Sequence, residues 1–93
     1  MEVVVHSRIG RKRPEIQSDD VVCAFKSTLR TVARRDVDPT QWVGVGIDGH
    51  GRVLEYVAVE TGVDEWLVFH CAPATDAVMV EVGLKPGRGR RPR

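Results

Sequence analysis

The stretch VLEYVAVE, residues 53–60, decides the architecture. Its β-branched and aromatic residues favour an extended strand. In a strand, Leu54, Tyr56 and Ala58 take one face, and Val53, Glu55, Val57 and Val59 take the other. Glu55 therefore stands where the alternation calls for an apolar residue. A carboxylate on a buried face costs several kcal/mol unless it is partnered. Glu55 is thus a candidate for a structural ion pair or for chemistry.

Working outward, QWVGVGI (41–47) alternates in the same way and is joined to this stretch by DGHG (48–51), a glycine-rich turn. TGVDE (61–65) supplies a second turn and WLVFHCA (66–72) a third strand, which Pro73 ends. The result is a meander with residues 53–60 in the middle, and EVVVH (2–6) is a candidate fourth strand. Upstream, Ser7 can cap one or two helical turns before Pro14 stops them. A longer helix is expected from Ser18, an N-cap serine followed by Asp19 and Asp20 where the macrodipole favours anions. Val21, Phe25, Leu29 and Val32 form its apolar stripe and Lys26, Arg30 and Arg34 a basic ridge, with RDVDPTQ (35–41) as the connector that ends it. In ATDAVMVEVG (74–83), Thr75 and Asp76 can open a short helix, while three valines suit a strand equally.

The expected fold is therefore α+β, with N-terminal helices packed on an antiparallel three- to four-stranded sheet, one face of which is buried against the main helix. Residues 1–84 form one domain, and residues 85–93, a basic tail with nothing to bury, are expected to be disordered. No internal repeat is visible.

Charge is distributed in blocks. Residues 6–35 hold eight Lys/Arg against three acids, residues 36–81 one Arg against nine acids, and residues 82–93 five Lys/Arg and no acid. Basic ends invite phosphate, and an acidic middle invites a basic partner or a solvated face. No 18-residue apolar run and no signal-peptide pattern exist, so the expectation is a soluble, cytoplasmic chain without a membrane partner. Cys23 and Cys71 make neither a disulfide framework nor a CxxC pair and read as reduced core thiols. No phosphate loop, dinucleotide fingerprint, nucleophile elbow or clustered metal-ligand pattern is present, so no cofactor and no metal are expected.

The motifs SRIGRK (7–12), GIDGHGRVLEYVAV (46–59) and FHCAP (69–73) together resemble those of the BrnT toxins and their small actinobacterial relatives. Ser7, Arg8, Arg11 and Lys12 match the first motif; Asp48, Gly51, Leu54 and Glu55 the second; His70, Ala72 and Pro73 the third. Ile9 and Gly10 depart from the pattern, as does the segment after Pro73. The resemblance implies a RelE-like fold and a toxin-like endoribonuclease of a type II toxin–antitoxin pair. Its partners would be RNA, ribosome-bound mRNA among the candidates, and an antitoxin protein that also binds DNA.

Metal-independent RNA cleavage needs the 2′-hydroxyl deprotonated, the charge on the phosphorane met and the leaving 5′-oxygen protonated. Glu55 and His70 are the candidate acid–base residues, Arg8 and Arg11 the candidate phosphate holders, and Lys12, Arg13, Arg30 and Arg34 candidate RNA contacts. Glu55 is expected to pair with an arginine of residues 8–13, with Arg8 and Arg11 foremost. The alternative is a non-catalytic RNA- or protein-binding module. Oligomeric state and RNA sequence preference are not legible.

Overall fold

Beginning at its N-terminus, the chain forms β1 (Glu2–Val5), α1 (Ser7–Lys12), α2 (Ser18–Lys26), β2 (Thr28–Arg34), β3 (Gln41–Ile47), β4 (Val53–Gly62), β5 (Glu65–Pro73) and α3 (Asp76–Glu81). The computed structural model describes residues 1–87. The strands make one five-stranded sheet in the order β1-β5-β4-β3-β2. β2 to β5 are an antiparallel meander, and β1 adds to β5 in parallel. No helix among the described residues is long and apolar enough to cross a membrane.

The architecture corrects the expected one. The domain is mostly sheet, with five strands and three short helices, rather than helices packed on three or four strands. The difference lies in residues 28–34, expected to continue the helix begun at Ser18. The helix stops at Lys26, and Thr28–Arg34 pairs with β3 instead. Thr28, Thr31 and Val32 are β-branched and lose little in an extended conformation, and the pairing satisfies their backbone groups. The supposed apolar stripe divides accordingly. Val21 and Phe25 pack on one face of the sheet, Val32 packs on the other, and Leu29, at an irregularity in the β2–β3 register, is exposed. The basic ridge dissolves with it, because Arg30 and Arg34 belong to a strand and Lys26 to a helix.

Both faces of the sheet carry a core, where one buried face was expected. Ile9, Ile16, Val21 and Ala24 of the N-terminal helices and their connector pack on Leu54, Tyr56 and Ala58. Val78 and Val82, from α3 and its end, pack on Val43, Val45 and Val57 opposite. The α2 side needs glycine in β3: a Cβ at Gly46 would run into the Ala24 carbonyl, and one at Gly44 into the Tyr56 ring. Helix starts differ from expectation by one residue. His6 rather than Ser7 caps α1, its Nδ1 accepting from the Arg8 N–H at 3.0 Å, and Gln17 precedes α2 with its N–H bonded to Asp20. α3 is helical, capped by Thr75.

Of the expected disordered tail, residues 88–93 lie outside the described residues. Within them, the Lys85 N–H donates to the Met79 carbonyl and its ammonium lies 2.7 Å from Asp76.

Candidate functional site

Parallel pairing of β1 covers only Glu65 to Val68 of β5. Past Val5 the chain turns into α1, so the outer edge of β5 from residue 69 onward faces a helix instead of a strand. α1 is anchored by Ile9, which is 3% exposed. Four-residue spacing places Arg8 and Lys12 on a common side of the helix. Between α1 and β5 lies a cleft of about 310 Å³ lined by Arg8, Ile9, Lys12, Arg13, Phe69, His70 and Cys71.

A register irregularity shapes the β5 wall. Ala58 pairs with Val68 and Val57 with His70, so Phe69 is an extra residue opposite no partner. Such a bulge re-aims side chains and allows consecutive residues to serve one surface. Phe69 and His70 thus both line the cleft, and the Arg8 guanidinium lies 5.9 Å from the centre of the Phe69 ring, within cation–π range.

Behind His70 stands Glu55. His70 faces Val57 across the ladder and Glu55 faces Ala72, which makes His70 and Glu55 diagonal neighbours on one face. The His70 Nε2 lies 2.8 Å from Glu55 Oε2. The other oxygen, Oε1, accepts from the Thr75 N–H at 2.8 Å and the Thr75 hydroxyl at 2.7 Å. Glu55 is 6% exposed whereas the His70 side chain is 39% exposed, so the pair runs from the core to the open cleft. Burial pushes the Glu55 carboxyl up, but the hydrogen bonds from His70 and Thr75 and the charge of His70 outweigh it and hold the group below the usual carboxylate range. Glu55 is therefore an anion fixed by three donors, and with Nε2 engaged the ring nitrogen left to a ligand is Nδ1.

The expected Glu55–arginine pairing is not what forms. Among the described residues, the partners of Glu55 are His70 and Thr75, because α1 packs on β5 and its cations line the cleft with His70, which Glu55 does not. Arg8, Lys12, Arg13 and His70 are brought together. Arg11 is turned to Ser7, 3.4 Å from its hydroxyl. Arg34 makes a two-pronged bond to Glu81 of α3, both contacts at 2.8 Å, and Arg30 lies opposite Val45 on β2, away from the cleft.

The second motif separates into two roles. Glu55 belongs to the cleft, while Asp48 organises the β3–β4 turn. Asp48 Oδ1 accepts from the backbone N–H groups of His50 and Arg52, and Oδ2 from the Arg52 side chain at 2.7 Å. Arg52 continues to Asp20 of α2 and to the Glu15 carbonyl, stapling the turn to the helix start. Gly51, at φ +78°, supplies the left-handed residue this turn requires. Burial pushes Asp48 up, and the bonds from Arg52 and His50 bring it net below the usual value.

Cys71 borders the cleft without being a nucleophile: burial, with the nearby carboxylates, pushes its thiol up to about 12. No group of three or more His, Cys, Asp or Glu side chains placed to hold a metal ion is found among the described residues. Sequence reasoning missed Phe69 and the role of Thr75. Each had a signal: Phe69 adjoins the candidate histidine, and Thr75 is a polar residue just past the strand that carries it. No family model, no curated protein and no solved structure matches this chain.

Proposed function

We propose that the chain is a toxin-like endoribonuclease that cleaves RNA by metal-independent transphosphorylation in the cleft between α1 and β5. The observation that carries this reading is the 2.8 Å contact between His70 and a buried, ionised Glu55, with the same imidazole opening onto Arg8, Lys12 and Arg13. In this mechanism His70 removes the proton from the 2′-hydroxyl, and the 2′-oxygen attacks phosphorus as the bond to the 5′-oxygen breaks. A 2′,3′-cyclic phosphate and a 5′-hydroxyl result, the departing oxygen taking a proton from Lys12 or water. Glu55 keeps the proton-bearing imidazolium oriented and charge-compensated, as a buried carboxylate behind a general base does. The three cations meet the charge that develops on the phosphorane, and the exposed part of Phe69 offers a ring to an unstacked base. The likeness of the three motifs to those of the BrnT toxins points the same way. On this reading, a neutralising protein partner docks over the basic side of α1.

The test is cleavage of a fluorogenic single-stranded RNA by purified protein, in EDTA, with chromatography of the products. Cyclic phosphate ends are expected, and no cleavage when deoxyribose replaces the ribose at the scissile position. His70→Gln is expected to lower kcat by roughly 10²–10⁴-fold with its fold intact. RNA binding without cleavage by the wild-type chain would instead establish a non-catalytic module.

A further inference from the structure

We propose that Thr75 is a positioning residue for the Glu55–His70 pair, its hydroxyl acting at once as the aiming contact of the carboxylate and as the cap of α3. This rests on the proposed reading of the cleft. The geometry assigns the hydroxyl proton. Thr75 Oγ1 lies 3.3 Å from the Val78 N–H, for which it can only be the acceptor. Its single proton is left for Glu55 Oε1, 2.7 Å away. The backbone N–H of Thr75 reaches the same oxygen at 2.8 Å. Two donors from one residue converge on Oε1, so the carboxylate plane is set and Oε2 is presented to His70. No buried polar side-chain atom among the described residues lacks a partner, and the bonds from His70 and Thr75 occupy both Glu55 oxygens.

The charged groups around the pair leave this role to Thr75. On β2 and α3, Arg34 and Glu81 lie within electrostatic reach of Glu55 but bind each other, and Arg30, level with Val45, lies beside Gly83 at the end of α3. Asp76, next in the chain, is bonded to Lys85. Arg8, Lys12 and Arg13 surround the cleft side of His70. Glu55 therefore has Thr75 and His70 as direct partners, and Thr75 is the one that does not change protonation during turnover. By analogy with residues that hold the ligands of a metal site, a contribution of about 10- to 100-fold is expected.

Three variants test the proposal. Thr75→Val removes the hydroxyl and keeps the backbone donor. Thr75→Ser keeps both. Thr75→Gly removes the hydroxyl at little cost to the α3 cap and adds no charge beside Glu55. The measurements are kcat and KM for RNA cleavage against pH, the 13C titration of the Glu55 carboxyl, and the 15N tautomer pattern of His70. For Thr75→Val and Thr75→Gly, kcat is expected to fall about tenfold with KM nearly unchanged. The acidic limb of the profile and the Glu55 midpoint should both move to higher pH, with Thr75→Ser close to wild type. A helix cap alone would change stability and leave the Glu55 midpoint, the His70 tautomer and the limb where they were, and that result overturns the proposal. So does a Thr75→Gly protein with wild-type kcat. The two titrations need no substrate: if the wild-type chain cleaves no RNA, they still decide whether Thr75 positions the pair.

Discussion

At the scale of single residues, Glu55 shows how a carboxylate is kept charged inside a sheet. Burial disfavours its anion, and three short hydrogen bonds outweigh that cost. Asp48 achieves the same through three donors from His50 and Arg52. Both groups titrate lower in the folded chain than in the unfolded one, where a carboxyl has a pKa of about 4. The unfolded state therefore takes up protons first as the pH falls, so the stabilisation is complete above that value and is lost as the pH drops through the depressed folded values. The urea midpoint is accordingly expected to be flat from about pH 7 to 5 and to fall steeply below about pH 4. Glu55→Gln should be less stable at neutral pH by about 1–3 kcal/mol, because an amide cannot accept all three donors, and its acid fall should be shallower. An equal fall in variant and wild type would show that Glu55 is not responsible.

The elements explain why these residues meet. β5 pairs with β1 only up to Val68, and the Phe69 bulge follows at once, so the strand presents His70 to α1 where its neighbour strand has ended. On the face of the sheet opposite Glu55, α2 approaches β3 so closely that Gly46 lies against the Ala24 carbonyl. Gly46→Val is therefore expected to destabilise the domain by at least about 1–3 kcal/mol, since backbone rather than a flexible side chain stands in the way. Thermal unfolding of the variant measures this, and a midpoint within a degree of wild type would contradict the close packing. The cleft lies at a different part of the sheet, and on the proposed function the surviving folded Gly46→Val should cleave RNA with the kcat of the parent.

For the molecule as a whole, the basic charge of residues 6–35 is divided among surfaces. Arg8, Lys12 and Arg13 gather at the cleft, Arg13 with Glu15 3.8 Å away, whereas Arg34 is neutralised by Glu81. On the proposed function, binding of single-stranded RNA through the three cleft cations should release counterions at about 0.7 per phosphate contact, a slope near −2 in a plot of log K against log salt. Arg8→Ala combined with Lys12→Ala should reduce that slope to about −0.7. Arg34→Ala should leave it unchanged. A slope that ignores the cleft pair and follows Arg34 would move the RNA-binding surface to β2 and α3.

The chain's local pattern was enough to identify the β3–β4–β5 meander, the placement of Glu55 on its central strand, and the two faces of that strand, because alternation and glycine-rich turns are short-range signals. Local alternation singled out Glu55, and the likeness of the motifs added His70, Arg8, Arg11 and Lys12, of which Arg11 is turned away to Ser7. Tertiary structure alone decided the rest. Residues 28–34 carry apolar spacing compatible with a helix, and the backbone partner that made them a strand lies in β3. The partner of Glu55 followed from the register of β4 against β5 and from the entry of α3 at Thr75, and not from the nearest supply of arginine in the sequence. A cation can be counted in a sequence, but whether it reaches a given carboxylate depends on which strand ends first. Here β1 ends at Val5, α1 begins at Ser7, and its cations consequently face His70 rather than the acid behind it.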